Sequence, residues 1–451
     1  MSVGKNYCVP ITFVVFLYCS ASYVGCSKEK YAETKARPSV DWVKNAVISE
    51  VNLRSIAETE SFKSLAVLIP EIKKLGITVI SLSPIHPIGE LNRKEKLGSP
   101  YTVKDFYDVN PEYGAWEDFK SLVRTTHQHG LRIIIDLVAN QAAWDSQLLM
   151  EHPDWFIHND EGAIVSPGVE WSDVAQIDYR QHEPRKYMIA VMKFWTQEIG
   201  IDGFLCMNAD GIPTDFWDAA RSELDKMKPV IMISASVLTE HHRRAFDLTS
   251  SWEIESACAK IIDGTMPASI INDSLSTEIL KFPRGSLHMR FMGECEKNKG
   301  DTPAIEQSHR YSIKAMDVLA FTLPGVPYIC TGTHSSYMKQ LNRSNKIYQD
   351  LSAIRRNHPA LRYGTYQYVQ NSASSRLFSF FRLSGEDSVL IVVNFANEKK
   401  ESDIQLPAGV SLVWKDQLSG ARWNVKNSQL NVAVPPLGFL TLAPSSEKDI
   451  L

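Results

Sequence analysis

Between residues 62 and 332 the chain alternates between two hydrophobic patterns. In FKSLAVLIPEIKKLG, Phe62, Leu65, Ile69, Ile72 and Leu75 recur at helical spacing, and Gly76 ends the stretch. The apolar run ITVISLSPI follows at once. The same order recurs where WEDFKSLVRTTHQHG ends at Gly130 before LRIIIDLVAN, and where RKYMIAVMKFWTQEIG ends at Gly200 before IDGFLCM. VIMISAS, LHMRFM and GVPYICTG are further runs of this kind. Runs without apolar–polar alternation predict strands buried on both faces, as parallel strands are. Repeated helix–glycine–strand units predict a (β/α)8 TIM barrel over residues 39–361. A doubly wound open sheet is the competing architecture, but no GxGxxG follows the first strand.

From about residue 362 the texture changes. YQYVQ, LFSFFRL, SVLIVVNFA, SLVWKDQ and NVAVPPLGFLTLAP are short β-type runs separated by turn residues, which predicts a C-terminal β-sandwich over 362–445. The stretch of about 141–184 is rich in Trp, Asp and His and too long for an ordinary βα loop, so it reads as a small subdomain inserted at the catalytic end of the barrel. Ahead of the barrel, residues 27–38 form a polar, charged linker.

The first 26 residues have a different character. Lys5 precedes the apolar run VPITFVVFLYC, and small and polar residues follow, which is the order of a signal peptide. Three outcomes stay open. Cleavage could follow Ser22. Val24-Gly25-Cys26 resembles the end of a bacterial lipoprotein signal, with Cys26 acylated, although Tyr23 stands where that signal usually has Leu. A retained anchor would need ~20 residues to span a bilayer, longer than the continuous apolar part. The first two readings place the protein outside the cytoplasm as a periplasmic, secreted or cell-envelope lipoprotein.

Composition narrows the classes further. The 451 residues carry 48 Lys+Arg against 52 Asp+Glu, net −4, with 44% hydrophobic residues. These are globular values with no basic footprint for nucleic acid. The seven cysteines are too few to frame a chain this long with disulfides, and none forms a CxxC pair, so no structural zinc site is expected.

Several segments between residues 45 and 332 match known motifs in order: NAVISEVNLR, LGITVISLSPIHPIGELNRKEKLGSPYTVKDFYDVNPEYG, HGLRIIIDLVANQAAWDS, EHPDWF, IGIDGFLCMNADGIPTDFW and LPGVPYICTG. Together they resemble the α-amylase family, glycoside hydrolase family 13, and most closely its bacterial members with a GSPY-type motif. The resemblance implies a catalytic barrel, a short inserted B domain and a C-terminal β-sandwich. It also implies retaining glycoside hydrolysis, in which a nucleophile and an acid/base stand about 5–5.5 Å apart. A third carboxylate stabilises the transition state in this family. All three come from the C-terminal ends of barrel strands.

The residues at those positions depart from the pattern. The family's fourth-strand motif carries Arg and then the nucleophilic Asp; here Leu205 stands at the Arg position and Met207 at the nucleophile position. The general acid Glu aligns with Ala235. Near the seventh strand the family's NHD aligns with Glu294, Cys295 and Glu296, so Glu296 keeps a carboxylate at the third position. Gln141 and Cys295 stand where the family has substrate-binding histidines. A thioether carries no charge to stabilise an oxocarbenium ion, and a methyl group donates no proton. The expectation is an amylase fold without amylase chemistry.

Other features are weighed against plainer roles. Tyr101, Trp144, Asp210, Glu294 and Glu296 are candidate substrate-binding residues; the plain reading is a solvated polar cleft. Trp144, Trp155, Phe156, Trp171 and Trp217 would suit sugar stacking or would pack the inserted subdomain. Cys206 and Cys295 could meet at the mouth or be small buried fillers. His86, His127, His129, His152 and His158 show no metal spacing. The resemblance makes Asn140 the one calcium candidate; otherwise no cofactor is expected. Three functions compete: an α-glucan- or oligosaccharide-binding accessory protein at the envelope, a hydrolase or transferase with altered residues, and an amylase-like partner subunit of a membrane complex. The last usually carries a cytoplasmic tail, and only about five residues precede the apolar run here.

Overall fold

The computed structural model describes residues 33–57, 59–94, 96–292, 315–329, 337–407 and 410–445. Its first ten strands run β1 (Ile48–Val51), β2 (Val79–Leu82), β3 (Arg132–Leu137), β4 (Gln141–Ala143), β5 (Val174–Gln176), β6 (Gly203–Cys206), β7 (Ile231–Ser234), β8 (Leu248–Ser250), β9 (Leu287–Met292) and β10 (Val326–Ile329). Eight of them close a parallel barrel in the order β1-β10-β9-β8-β7-β6-β3-β2. The predicted (β/α)8 barrel is therefore the observed one.

The helices pack around it. They are α1 (Ser61–Lys74), α2 (Trp116–Gln128), α3 (Gln147–Glu151), α4 (His182–Phe194), α5 (Thr214–Asp225), α6 (His241–Arg244), α7 (Trp252–Ile262), α8 (Ile270–Lys281), α9 (315–322), α10 (Tyr337–Asn357) and α11 (Pro359–Tyr363). Strand parity divides the core in two. Ile48, Val79, Ile134, Leu205, Ile231, Ile233, Leu248 and Phe291 fill the barrel interior. Residues of opposite parity, such as Ile80, Ile133, Phe204, Cys206 and Met232, face the helices in a larger cluster. Both faces of each strand are thus apolar, which is why the strand runs show no alternation.

Two local details shape the barrel wall. Gly203 opens β6 at φ 152°, and a Cβ there would sit 2.0 Å from the Ile231 carbonyl oxygen, so only glycine lets β6 lie against β7. The short β8, Leu-Thr-Ser, was not legible as a strand. Two of its three residues are polar, and its neighbours β7 and β9 supply the pairing that makes it one.

The inserted segment carries its own antiparallel pair, β4 with β5, in the register Gln141↔Gln176. Bridges Phe156↔Ile177 and His158↔Ile164 extend it. C-terminal to the barrel, eight antiparallel strands follow: β11 (Thr365–Tyr368), β12 (Leu377–Ser384), β13 (Asp387–Asn394), β14 (Lys400–Gln405), β15 (Val413–Asp416), β16 (Arg422–Lys426), β17 (Gln429–Val434) and β18 (Phe439–Pro444). They form one curled sheet in the order β11-β12-β13-β18-β15-β16-β17-β14. Leu377, Phe381, Val392, Trp414 and Leu442 fill its inside. Phe378, Phe380, Val389 and Ile391 join the barrel's outer core, which fastens the two parts together.

The described part of the expected linker does not hang free. Lys35 bridges Arg284, and Arg37 N–H donates to the His242 carbonyl at 2.8 Å. Among the described residues no helix is long and apolar enough to cross a membrane.

Candidate functional site

The site is built at the C-terminal rim of β3, β6 and β7. Leu205 pairs with Ile233 and Cys206 with Ser234. Beyond the strand ends the ladder continues: Met207 N–H donates to the Leu137 carbonyl at 2.9 Å and Ala235 N–H to the Cys206 carbonyl at 3.0 Å. Met207 and Ala235 therefore stand side by side at the mouth, half-buried and packed on the interior cluster. Adjacent strands lie about 4.8 Å apart, close to the spacing a retaining carboxylate pair needs. Both side chains are apolar.

Leu205 lies two residues deeper, 5% exposed, within the interior cluster. Its register partner is Asp136, 2% exposed, which accepts from Ser81 Oγ at 3.5 Å. Sequence reasoning missed a second inward carboxylate. Glu50, 9% exposed, sits on the same parity as Ile48 in β1. Its signal was the strand run NAVISEV, where Glu50 is the one charge in a mostly apolar stretch.

The residues after β3 are bound to one another. Asn140 Nδ2 donates to Gln141 Oε1 at 3.2 Å, and Gln141 Nε2 donates to the Tyr101 carbonyl at 3.2 Å. Gln141 is 1% exposed, so its amide is spent on the fold. Asn140 Oδ1 is buried without a hydrogen-bond partner, which is the one feature here that suits a cation. Among the described residues, however, no three His, Cys, Asp or Glu side chains converge to hold one.

Tyr101 is half-buried at the rim against the core. Asp210 is exposed on a 3-10 turn that follows Met207 and Asn208, the latter in the left-handed region at φ 48°. Trp217 is fully buried, and its Nε1–H donates to the Ala209 carbonyl at 2.9 Å, fixing that turn from below. Phe156 is also core. These two are packing residues, whereas Trp144, Trp155 and Trp171 are half-buried on the inserted segment. Trp144 donates to the Ser172 carbonyl at 2.9 Å, and Trp155 stacks on His152 at 3.9 Å.

Cys206 has outward parity and is fully buried against the helices; burial pushes its thiol well above the usual range. It is a filler and does not line the mouth. Glu294, Cys295 and Glu296, like Cys26, lie outside the described residues. A serine–histidine cluster also emerges: Ser234 Oγ is 2.9 Å and Ser236 Oγ 3.3 Å from His241 Nδ1. All three are buried, with Ser234 on the outward side of β7, and burial pushes His241 down to about 4. Asp247 lies just before β8, at the end opposite the mouth. It binds Arg221 at 2.7 Å, Arg37 at 3.1 Å and the Met232 N–H at 2.8 Å, which makes it an anchor of the barrel floor.

Known proteins match this architecture. The profile of the α-amylase catalytic domain matches residues 65–167. A cyclomaltodextrinase of Geobacillus thermopakistaniensis is 22% identical over 414 residues, covering 82% of this chain and 68% of the relative. An α-1,4-glucan:maltose-1-phosphate maltosyltransferase of Cereibacter sphaeroides is 31% identical over 191 residues, 38% of this chain and 28% of the relative. Among solved structures, a maltogenic α-amylase of Thermotoga neapolitana superposes with a TM-score of 0.80 at 28% identity, covering 89% of this chain and 99% of the other. In its barrel with an insert, its curled C-terminal sheet and these matches, the chain is similar to the α-amylase family, glycoside hydrolase family 13.

Proposed function

We propose that this chain has lost ordinary glycosidase catalysis and acts as an α-glucan- or oligosaccharide-binding accessory protein at the cell envelope. The observation that carries the reading is the pair Met207 and Ala235. They occupy neighbouring strand ends at the spacing of a retaining carboxylate pair and offer a thioether and a methyl group. Leu205, buried in the barrel, supplies no guanidinium beside them. Removing one acid/base costs about 10²–10⁴ in rate, and in this reading the nucleophile and the guanidinium are missing as well. A glucan ligand is supported by the kinship with a maltogenic α-amylase and a cyclomaltodextrinase, and by the half-buried Tyr101, Trp144 and Trp171 around the mouth. The envelope location is supported by the signal-like segment and Cys26.

A second reading, a hydrolase or transferase with altered residues, is favoured by one observation: Glu50 and Asp136 put two carboxylates on inward barrel positions. One experiment separates the two. The purified protein is titrated calorimetrically with maltooligosaccharides and assayed on starch, maltooligosaccharides and aryl α-glucosides. Binding without turnover is expected. Turnover near ordinary enzyme rates would overturn the loss of catalysis, and Glu50→Gln would then show whether the second reading holds.

A further inference from the structure

Residues 33–46 cross one end of the barrel. Ala36 N–H donates to the Arg284 carbonyl at 3.0 Å, and Arg284 N–H to the Thr34 carbonyl at 2.8 Å; Arg284 stands three residues ahead of β9. Arg37 binds Asp247, the residue before β8. Val43 and Ala46 are buried in the interior cluster and stop the barrel from below. Arg132, the first residue of β3, lies over the Trp42 ring at 4.3 Å. Every one of these contacts is at the N-terminal ends of the strands, opposite Met207 and Ala235. The chain therefore comes onto the barrel at its floor.

Only six residues separate Cys26 from Glu33. Fully extended, that span reaches no more than about 25 Å. A chain held in a bilayer at Cys26 keeps its floor within that distance of the lipid, and a six-residue strand alone adds about 20 Å before the mouth begins.

The charges differ at the two ends. Helices that follow strands descend to the floor, and helix C-termini favour cations. Exposed cations stand there, Lys35, Lys44, Lys73, Lys74, Lys226 and Arg284, beside the exposed acids Glu33, Asp41, Glu71, Glu198 and Asp225, with Lys74 paired to Glu71 and Asp225 to Arg37. The inserted segment at the mouth exposes Glu151, Asp154, Asp160, Glu161 and Glu170. An anionic phospholipid surface attracts the first set and repels the second.

We propose that the barrel floor is the face turned toward an anionic phospholipid surface, and that the mouth opens away from it toward the bulk, where a large glucan can reach it. This rests on the envelope reading above. The test uses the acylated full chain on vesicles of phosphatidylglycerol and phosphatidylcholine containing an energy-acceptor lipid. A dye is placed through Lys74→Cys on the floor or through Glu161→Cys at the mouth, with the unaltered chain as the labelling blank. The floor dye is expected to transfer energy at least severalfold more efficiently than the mouth dye. Equal transfer, or stronger transfer from the mouth, overturns the orientation. Vesicles of phosphatidylcholine alone should reduce the difference, and an unchanged difference overturns the part given to anionic headgroups. A chain that fails to float with the vesicles at all overturns the envelope reading itself, which the flotation step reports separately.

Discussion

Restoring the missing chemistry is the sharpest test of the site. In the variant Met207→Asp, Ala235→Glu, Leu205→Arg, the two carboxylates would project from neighbouring strand ends about 4.8 Å apart, near the ~5–5.5 Å of a retaining pair. With each acid/base group contributing about 10²–10⁴-fold, turnover of an aryl α-maltoside should rise at least about 10²-fold over the unaltered chain. The cost lies at Leu205. It is 5% exposed inside the barrel, and removing it forfeits roughly 2 kcal/mol of burial. A guanidinium there needs a partner, because an unpaired buried charge costs several kcal/mol. Asp136 stands in register beside it and can supply one, so the net loss should stay at about 2–4 kcal/mol, read from urea unfolding. The double variant without Leu205→Arg separates the carboxylates from the cation. A triple variant that unfolds cooperatively yet hydrolyses no faster would refute the reasoning, since residues 207 and 235 would then not flank a bound glycosidic bond.

Three further outcomes follow from the same structure. Asp247→Ala removes one of the two carboxylate partners of the 1%-exposed Arg221, the other being Asp225, and the partner of the Met232 N–H, and should cost about 3 kcal/mol by urea unfolding; a loss below 1 kcal/mol would contradict the floor anchor. Burial pushes His86 and His241 down to about 4, so both rings are neutral when folded and take up protons near pH 6.5 when unfolded. Stability should therefore be full above that pH and decline as pH falls toward 4, by on the order of 3 kcal/mol per ring at most; an unchanged urea midpoint between pH 7 and 4.5 would argue against it. Iodoacetamide should spare Cys206 and Cys258 in the folded protein, since both are fully buried and burial pushes Cys258 up to about 12; rapid alkylation of Cys206 by peptide mapping would place it at the mouth after all.

What the sequence determined by itself was whatever short-range pattern encodes. Strands buried on both faces read as unbroken apolar runs, and glycines after helical spacing mark the units, so the barrel and the C-terminal β region were legible. The identities Met207, Ala235 and Leu205 were equally legible, because a motif fixes which side chain stands at each strand end. Tertiary structure decided what depends on neighbours. β8 is a strand only because β7 and β9 pair with it. Parity, set by the closed barrel, turned Cys206 outward and Glu50 inward. Trp217 and Phe156 became core, and Gln141 spent its amide on the Tyr101 carbonyl. Residues 33–38, polar enough to read as a free linker, found partners 188 and more positions away on the barrel floor. Such contacts join positions far apart in the chain, and no local spacing of apolar and polar residues records them.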